Sequence, residues 1–168
     1  MTKNTSYSPF PCLRYKQIVG CLIGNVIMDF IFEPFVRLGQ LKFDMSKSEV
    51  ESQLTSISGI RDCDYQDGKL SAFTIDPIDI ESLIFCGVDL LKMDKLEVAL
   101  YLANQSTEYG QAQGGSLYFM DLGCAILQFE APYREFLFFA RKYNTGEPLR
   151  EMSPYLIESY YEASAGEG

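Results

Sequence analysis

Met45-Ser46-Lys47-Ser48-Glu49-Val50 and Met93-Asp94-Lys95-Leu96-Glu97-Val98 carry nearly the same message 48 residues apart. Each is a complete helix start. Ser46 and Asp94 are residues whose side-chain oxygens accept an otherwise unpaired N–H three positions on, and Glu49 and Glu97 reach back to the cap. Met45 with Val50, and Met93 with Val98, supply the flanking hydrophobic staple. Two such signals at one spacing predict two copies of a strand, capped helix and hairpin unit.

Working outward, the helix from Ser46 to about Ile57 places Val50, Leu54 and Ile57 on one stripe, and Gly59 is expected to stop it. Phe35 to Phe43 reads as an extended segment interrupted by Gly39. Asp67-Gly68 is the strongest hairpin signal of the chain. A two-residue turn there sets Tyr65 opposite Leu70 and Cys63 opposite Ala72, and leaves Asp62 and Asp64 on the other face. Ser82 to Leu91 reads as a strand leading into a second helix, Asp94 to about Asn104, with Leu96, Ala99, Leu100 and Ala103 as its stripe. A polar loop, Gln105 to Gly115, precedes a second hairpin in which Ser116–Met120 and Cys124–Glu130 flank Asp121-Leu122-Gly123. Tyr133 to Tyr143 fits either a strand buried on both sides or a helix, and its aromatic density favours the strand. Ser153 to Ala163 reads as a tail helix with a loose end after it. The expected class is α+β: a mainly antiparallel sheet with helices packed on one face, in two strand–helix–hairpin repeats.

A chain of 168 residues buries roughly 70% of its unfolded surface, enough for one sizeable core. Residues 28–168 are read as a single binding domain. Residues 1–27 are read as a leader or extension. Ile18 to Phe32 is strongly apolar, but Asn25 and Asp29 break it short of the run a membrane span needs. Ile18-Val19-Gly20-Cys21 has the residue types of a lipoprotein cleavage site, yet most of the apolar stretch follows the cysteine instead of preceding it.

Not one of the 168 residues is histidine. Serine–histidine–acid and cysteine–histidine machinery fall away, as do imidazole metal sites. Five scattered cysteines, Cys12, Cys21, Cys63, Cys86 and Cys124, lack metal or redox spacing and read as reduced thiols of a cytoplasmic protein. Asp62 to Gly68 imitates a calcium loop, but its third acid falls one place late and Phe73 stands where the bidentate glutamate belongs. Gly110 to Ser116 is glycine-rich without the lysine of a phosphate cradle. No cofactor, metal or catalytic residue is assigned. A carboxylate-only hydrolase is the enzyme alternative, since glycosidases work with two carboxyl groups.

Net charge is −9, from 14 basic and 23 acidic residues. Such a surface repels phosphate backbones and anionic lipid, so nucleic acid and membranes are poor partners and a basic protein is the complement. The stretch Gly39 to Val50, echoed from Leu90 to Val98, resembles two groups of small α+β modules. One is the BamE-like and β-lactamase-inhibitor-like binding modules. The other is the acidic bacterial immunity proteins, including those of contact-dependent growth inhibition. Those patterns often carry glycine before the methionine, where this chain has Asp44 and Lys92. The second resemblance implies a non-enzymatic inhibitor of a basic toxin domain, foremost a nuclease, with β-augmentation as one docking mode. The first implies an envelope assembly or structural module. Acids with tyrosines between them are the expected contacts: Asp62, Asp64, Tyr65 and Asp67 on the first hairpin, and Glu108, Tyr109, Tyr118, Asp121 and Glu130 around the second.

Overall fold

Both helix starts close as capping boxes. The Glu49 N–H donates to the Ser46 hydroxyl at 3.4 Å while the Ser46 N–H donates to Glu49 Oε2 at 2.7 Å, opening α1 (Lys47–Leu54). At α2 (Lys95–Gln105) the reciprocal pair between Asp94 and Glu97 is 2.8 Å in both directions. Asp94→Ala leaves the Glu97 N–H without its partner and is expected to cost about 1 kcal/mol. A lowered urea midpoint at unchanged slope would register that loss.

The computed structural model describes residues 30–129 and 134–165. The reading of 1–27 as a leader, the cleavage-site resemblance, Cys12, Cys21 and the loose C-terminal end lie outside the described residues. Twelve strands and three α-helices are present among those described, an α+β class. The strands do not form the single sheet expected from the sequence. Five make one sheet in the order β3-β2-β1-β6-β7, with β1 Phe30–Glu33, β2 Arg37–Leu38, β3 Leu41–Lys42, β6 Leu83–Phe85 and β7 Val88–Asp89. Seven make another, in the order β12-β8-β9-β10-β11-β5-β4. Its strands are β4 Ile60–Gln66, β5 Lys69–Ile75, β8 Tyr109–Gln111, β9 Leu117–Phe119, β10 Cys124–Leu127, β11 Glu135–Phe139 and β12 Arg150–Glu151. All their pairings are antiparallel except β1 with β6. Each capped helix carries the chain from the smaller sheet to the larger, α1 between β3 and β4, and α2 between β7 and β8. The repeated helix start therefore marks a repeated crossing.

Several local expectations shift. Helix α1 ends at Leu54 with Thr55 as its cap, and Gly59, at φ +83°, turns the chain into β4 instead of stopping the helix. A Cβ on Gly59 would lie 2.6 Å from Ile80 Cγ2. Ser82 to Leu91 is a hairpin, not one strand, because Cys86 and Gly87 both take positive φ, +52° and +79°, the geometry of a two-residue turn. Phe35 to Phe43 likewise folds back on itself at Gly39. The Gln105–Gly115 loop contains β8. Phe119 and Cys124 pair across the second hairpin, with Gly123 at φ +73° in the left-handed position read for it. Tyr133 to Tyr143 holds strand β11, and Pro154–Ala165 forms α3.

At the first hairpin Asp67 and Gly68 take φ +51° and +73°, and Tyr65 pairs with Leu70 as expected. Irregularities between Arg61 and Tyr65 bring Asp64, not Cys63, opposite Ala72, and Asp62 sits at φ +28° within the bulge.

One core joins the two sheets. The Phe32 ring of β1 lies 5.3 Å from Phe85 of β6 and 4.7 Å from Phe138 of β11. Val50 of α1, Val98 and Leu102 of α2, and Ile157 of α3 belong to the same buried cluster. The α2 stripe is rotated from its expected position: Val98, Ala99, Leu102 and Ala103 are buried with Lys95, while Leu96 and Leu100 are only partly so. A smaller cluster of Ala72, Ala112, Tyr118, Ala125, Leu137 and Phe139 occupies the other face of the larger sheet, with Phe35, Tyr143 and Leu149 packed against it. Strand β11 is thus buried on both faces, which explains its unbroken apolar run.

Cys63 and Cys124 are free thiols, and burial pushes both thiols above their ordinary pKa, strongly for Cys124. Cys86 is disulfide-bonded, against the expectation that every cysteine is reduced. No described helix is long and apolar enough to cross a membrane.

Candidate interaction surface

Strand direction decides where the acidic residues gather. β4 runs toward the Asp67-Gly68 turn and β5 runs back from it. The antiparallel pairings of β5 with β11, β11 with β10 and β10 with β9 place the 120–123 loop at that same end. β8, antiparallel to β9, starts there too, so Glu108 and Tyr109 belong to this end. From β4 to β9 is four strand steps, roughly 19 Å, a width suited to a protein interface.

Within this surface the expected contacts divide. Asp62, Asp64, Asp67 and Glu108 are exposed. Tyr65 is half-buried against the main core, and its hydroxyl is shifted upward by that burial. Tyr109 is also half-buried and stacks on Phe119 at 5.9 Å. Tyr118 is only 9% exposed within the second cluster, and burial, with Tyr143 and Glu147 nearby, raises its hydroxyl to about 12. It packs inside the protein and has little surface to give a partner.

Asp121 is occupied internally. Its carboxylate accepts the Ser106 hydroxyl, the Thr107 N–H at 2.7 Å and the Thr107 hydroxyl at 2.8 Å. Ser106 is the C-terminal cap of α2, so Asp121 ties the end of that helix to the β9–β10 loop. Glu130 lies outside the described residues. Cations share the rim: Lys69 opens β5, and Arg141 stands 4.6 Å over the Phe35 ring, followed by exposed Lys142.

The larger sheet also offers an edge. β4 is seven residues long, whereas the other terminal strands, β12, β3 and β7, have two each. Its first half is guarded by the bulge and by Arg61, which pairs with Asp79 at 2.6 Å and Asp76 at 3.8 Å. That leaves Tyr65 and Gln66, next to the acidic turn, as the part of this edge beyond the irregularity.

Two open grooves flank β12. One, of about 510 Å³, is lined by Gln111, Gln113, Pro148, Leu149, Arg150 and Tyr160. The other, of about 350 Å³, is lined by Glu108, Tyr109, Met120, Leu149, Glu151 and Met152, with Thr107 at its side. Among the described residues no group of three or more Cys, Asp or Glu side chains is placed to hold a metal ion.

Comparison with known proteins finds no matching family model, curated protein or solved structure. The functional reading therefore rests on the chain's own residues. Sequence reasoning missed Glu151 and the groove it lines. The available signal was Gly110: a Cβ there would stand 2.7 Å from the Arg150 carbonyl oxygen and 2.8 Å from Leu149 Cβ, so only glycine admits β12 this close.

Proposed function

We propose that this chain is a cytoplasmic immunity or inhibitor protein that binds a basic toxin domain, foremost a nuclease, and covers its substrate-binding surface. The observation that carries this reading is the exposure of Asp62, Asp64, Asp67 and Glu108 at one end of a protein of net charge −9. Negative carboxylates in such a row imitate a phosphate backbone and speed encounter with a basic surface. The turn end of β4, at Tyr65 and Gln66, offers a sheet edge for main-chain hydrogen bonding beside them.

The test is affinity capture from the source cell, followed by nuclease assays and calorimetry of the captured partner at two salt concentrations. A basic partner whose activity is suppressed by a salt-sensitive complex supports the reading. Absence of a basic partner, or a complex that leaves its activity intact, overturns it. With that partner in hand, Asp64→Lys and Glu108→Lys are each expected to slow association about 3- to 10-fold at low salt and to flatten its salt dependence. Unchanged association rates in both variants would remove this end of the sheet from the interface.

The disulfide at Cys86 favours a second reading, an envelope assembly module, because such bonds persist in oxidising compartments. Cell fractionation separates the two, since an exported product belongs only to the second.

A further inference from the structure

We propose that the groove lined by β8, β12 and Tyr160 of α3 binds an N-acylated amino acid, the group that also ends a peptide chain, with Arg150 holding its carboxylate and Gln111 its amide. The site uses no residue of the acidic end and stands independently of the toxin reading. Arg150 of β12 lies directly opposite Gln111 of β8. Directly opposed side chains leave a sheet on one face with their roots about 4.5 to 5.5 Å apart. Both line the groove. Across the other edge of β8, Gln111 is opposite Leu117, which is 1% exposed in the main core. The glutamine therefore stands between an apolar wall and a guanidinium.

Gln111 is the residue that points to a ligand. It is only 7% exposed, yet its side-chain amide makes no hydrogen bond among the described residues. Unlike the Thr74 hydroxyl, which is orphaned within the larger sheet, this amide opens onto a cavity. A buried primary amide without a partner is unfavourable, and a ligand that supplies one recovers the loss. Arg150 is exposed and has no ion pair among the described residues. The acids nearest to it in sequence are engaged elsewhere: Glu151 pairs with Gly110 and lines the other groove, and Glu147 accepts the Gln113 N–H at 3.2 Å. An unpaired guanidinium takes a carboxylate through two parallel hydrogen bonds. A carboxamide beside it both donates and accepts, which matches the C=O and N–H of a peptide unit. Carboxylate and peptide unit occur side by side in an acylated amino acid. Pro148, Leu149 and Tyr160 wall the space for its side chain, and the Tyr160 ring is stacked on Phe129 at 6.4 Å. A volume of about 510 Å³ accommodates one residue with its preceding peptide group.

The experiment titrates the full ¹⁵N-labelled chain with N-acetyl-leucine. N-acetyl-leucine amide serves as the counterpart without the charge, and acetate as the carboxylate without the peptide unit. The expected result is saturable shifts of the Gln111 side-chain NH₂ and of the Ala112 and Gln113 amides, with affinity at least about tenfold weaker for the two controls. Tighter binding of N-acetyl-alanyl-alanyl-leucine marks a peptide end as the source, and equal affinity marks a small acylated amino acid; either upholds the site. Arg150→Gln, an exposed substitution, is expected to weaken binding about tenfold while leaving the rest of the spectrum in place. Gln111→Met, of similar volume, is expected to weaken it about threefold or more with the urea midpoint unchanged or raised, because no hydrogen bond within the fold is lost. A lowered midpoint in Gln111→Met, equal affinity for the acid and its amide, or no shifts at the groove would overturn the proposal.

Discussion

Phe138→Ala is expected to remove about 3 to 5 kcal/mol of stability, the range for emptying a buried aromatic site. Phe138 is 1% exposed on β11, with its ring 4.7 Å from Phe32 and 5.9 Å from Phe73. Phe32 belongs to the smaller sheet and Phe73 to the larger, so this one side chain sits where the two sheets meet. Its loss opens a cavity on both sides of the junction, which the rigid pairing of β11 with β5 and β10 keeps from collapsing. For a chain of this size the change corresponds to a fall in melting temperature of roughly 10 °C. Differential scanning calorimetry reads it directly. A fall of less than about 3 °C would mean that the two sheets do not depend on a shared core. Phe138→Leu, which keeps most of the volume, should recover most of the loss.

Asp121→Ala is the second large effect, and it separates a structural acid from a surface one. Three hydrogen bonds from Ser106 and Thr107 converge on the Asp121 carboxylate. Hydrogen bonds to a charged acceptor each contribute about 1.5 to 3 kcal/mol when well formed, and they are not additive at one group. A loss of roughly 2 to 3 kcal/mol is expected from urea unfolding. Asp67→Ala, at an exposed turn residue, should change stability by less than about 1 kcal/mol apart from its positive-φ cost. Hydrogen exchange should then quicken at the end of α2 and in the 120–123 loop in the Asp121 variant alone. Equal stability losses at the two sites would show that Asp121 does not anchor that loop. Charge reversal at Asp121 is for the same reason a poor probe of binding, and Glu108 is the better one.

Local order was legible wherever the determining contacts lie a few residues apart. Ser46 with Glu49 and Asp94 with Glu97 are three-residue interactions, and both capping boxes form as their spelling requires. Asp67-Gly68 needs only two residues with positive φ to turn the chain. The aromatic run now in β11 reads as a strand because both of its faces are apolar.

Reading failed where a residue's neighbours come from far along the chain. Lys95 opens α2, where a lysine is ordinarily solvated, yet it is 8% exposed, donates to the Phe129 carbonyl at 2.8 Å and lies 5.7 Å from the Phe129 ring. Arg134 similarly donates to the carbonyls of Leu90, Leu91 and Met93 across more than 40 residues. Tyr118 and Asp121 read as surface contacts by composition, but the second apolar cluster takes one and the end of α2 takes the other.

The sequence by itself determined the helix starts, the tight turns, the α+β class and the acidic balance, since these follow from short-range stereochemistry and from counting charges. Only the tertiary structure decided that the strands divide over two sheets, that Glu108 and Glu151 share a groove, and which acids remain in solvent. Those outcomes depend on burial against partners that are distant in the chain, and side-chain type carries no record of which partner that will be.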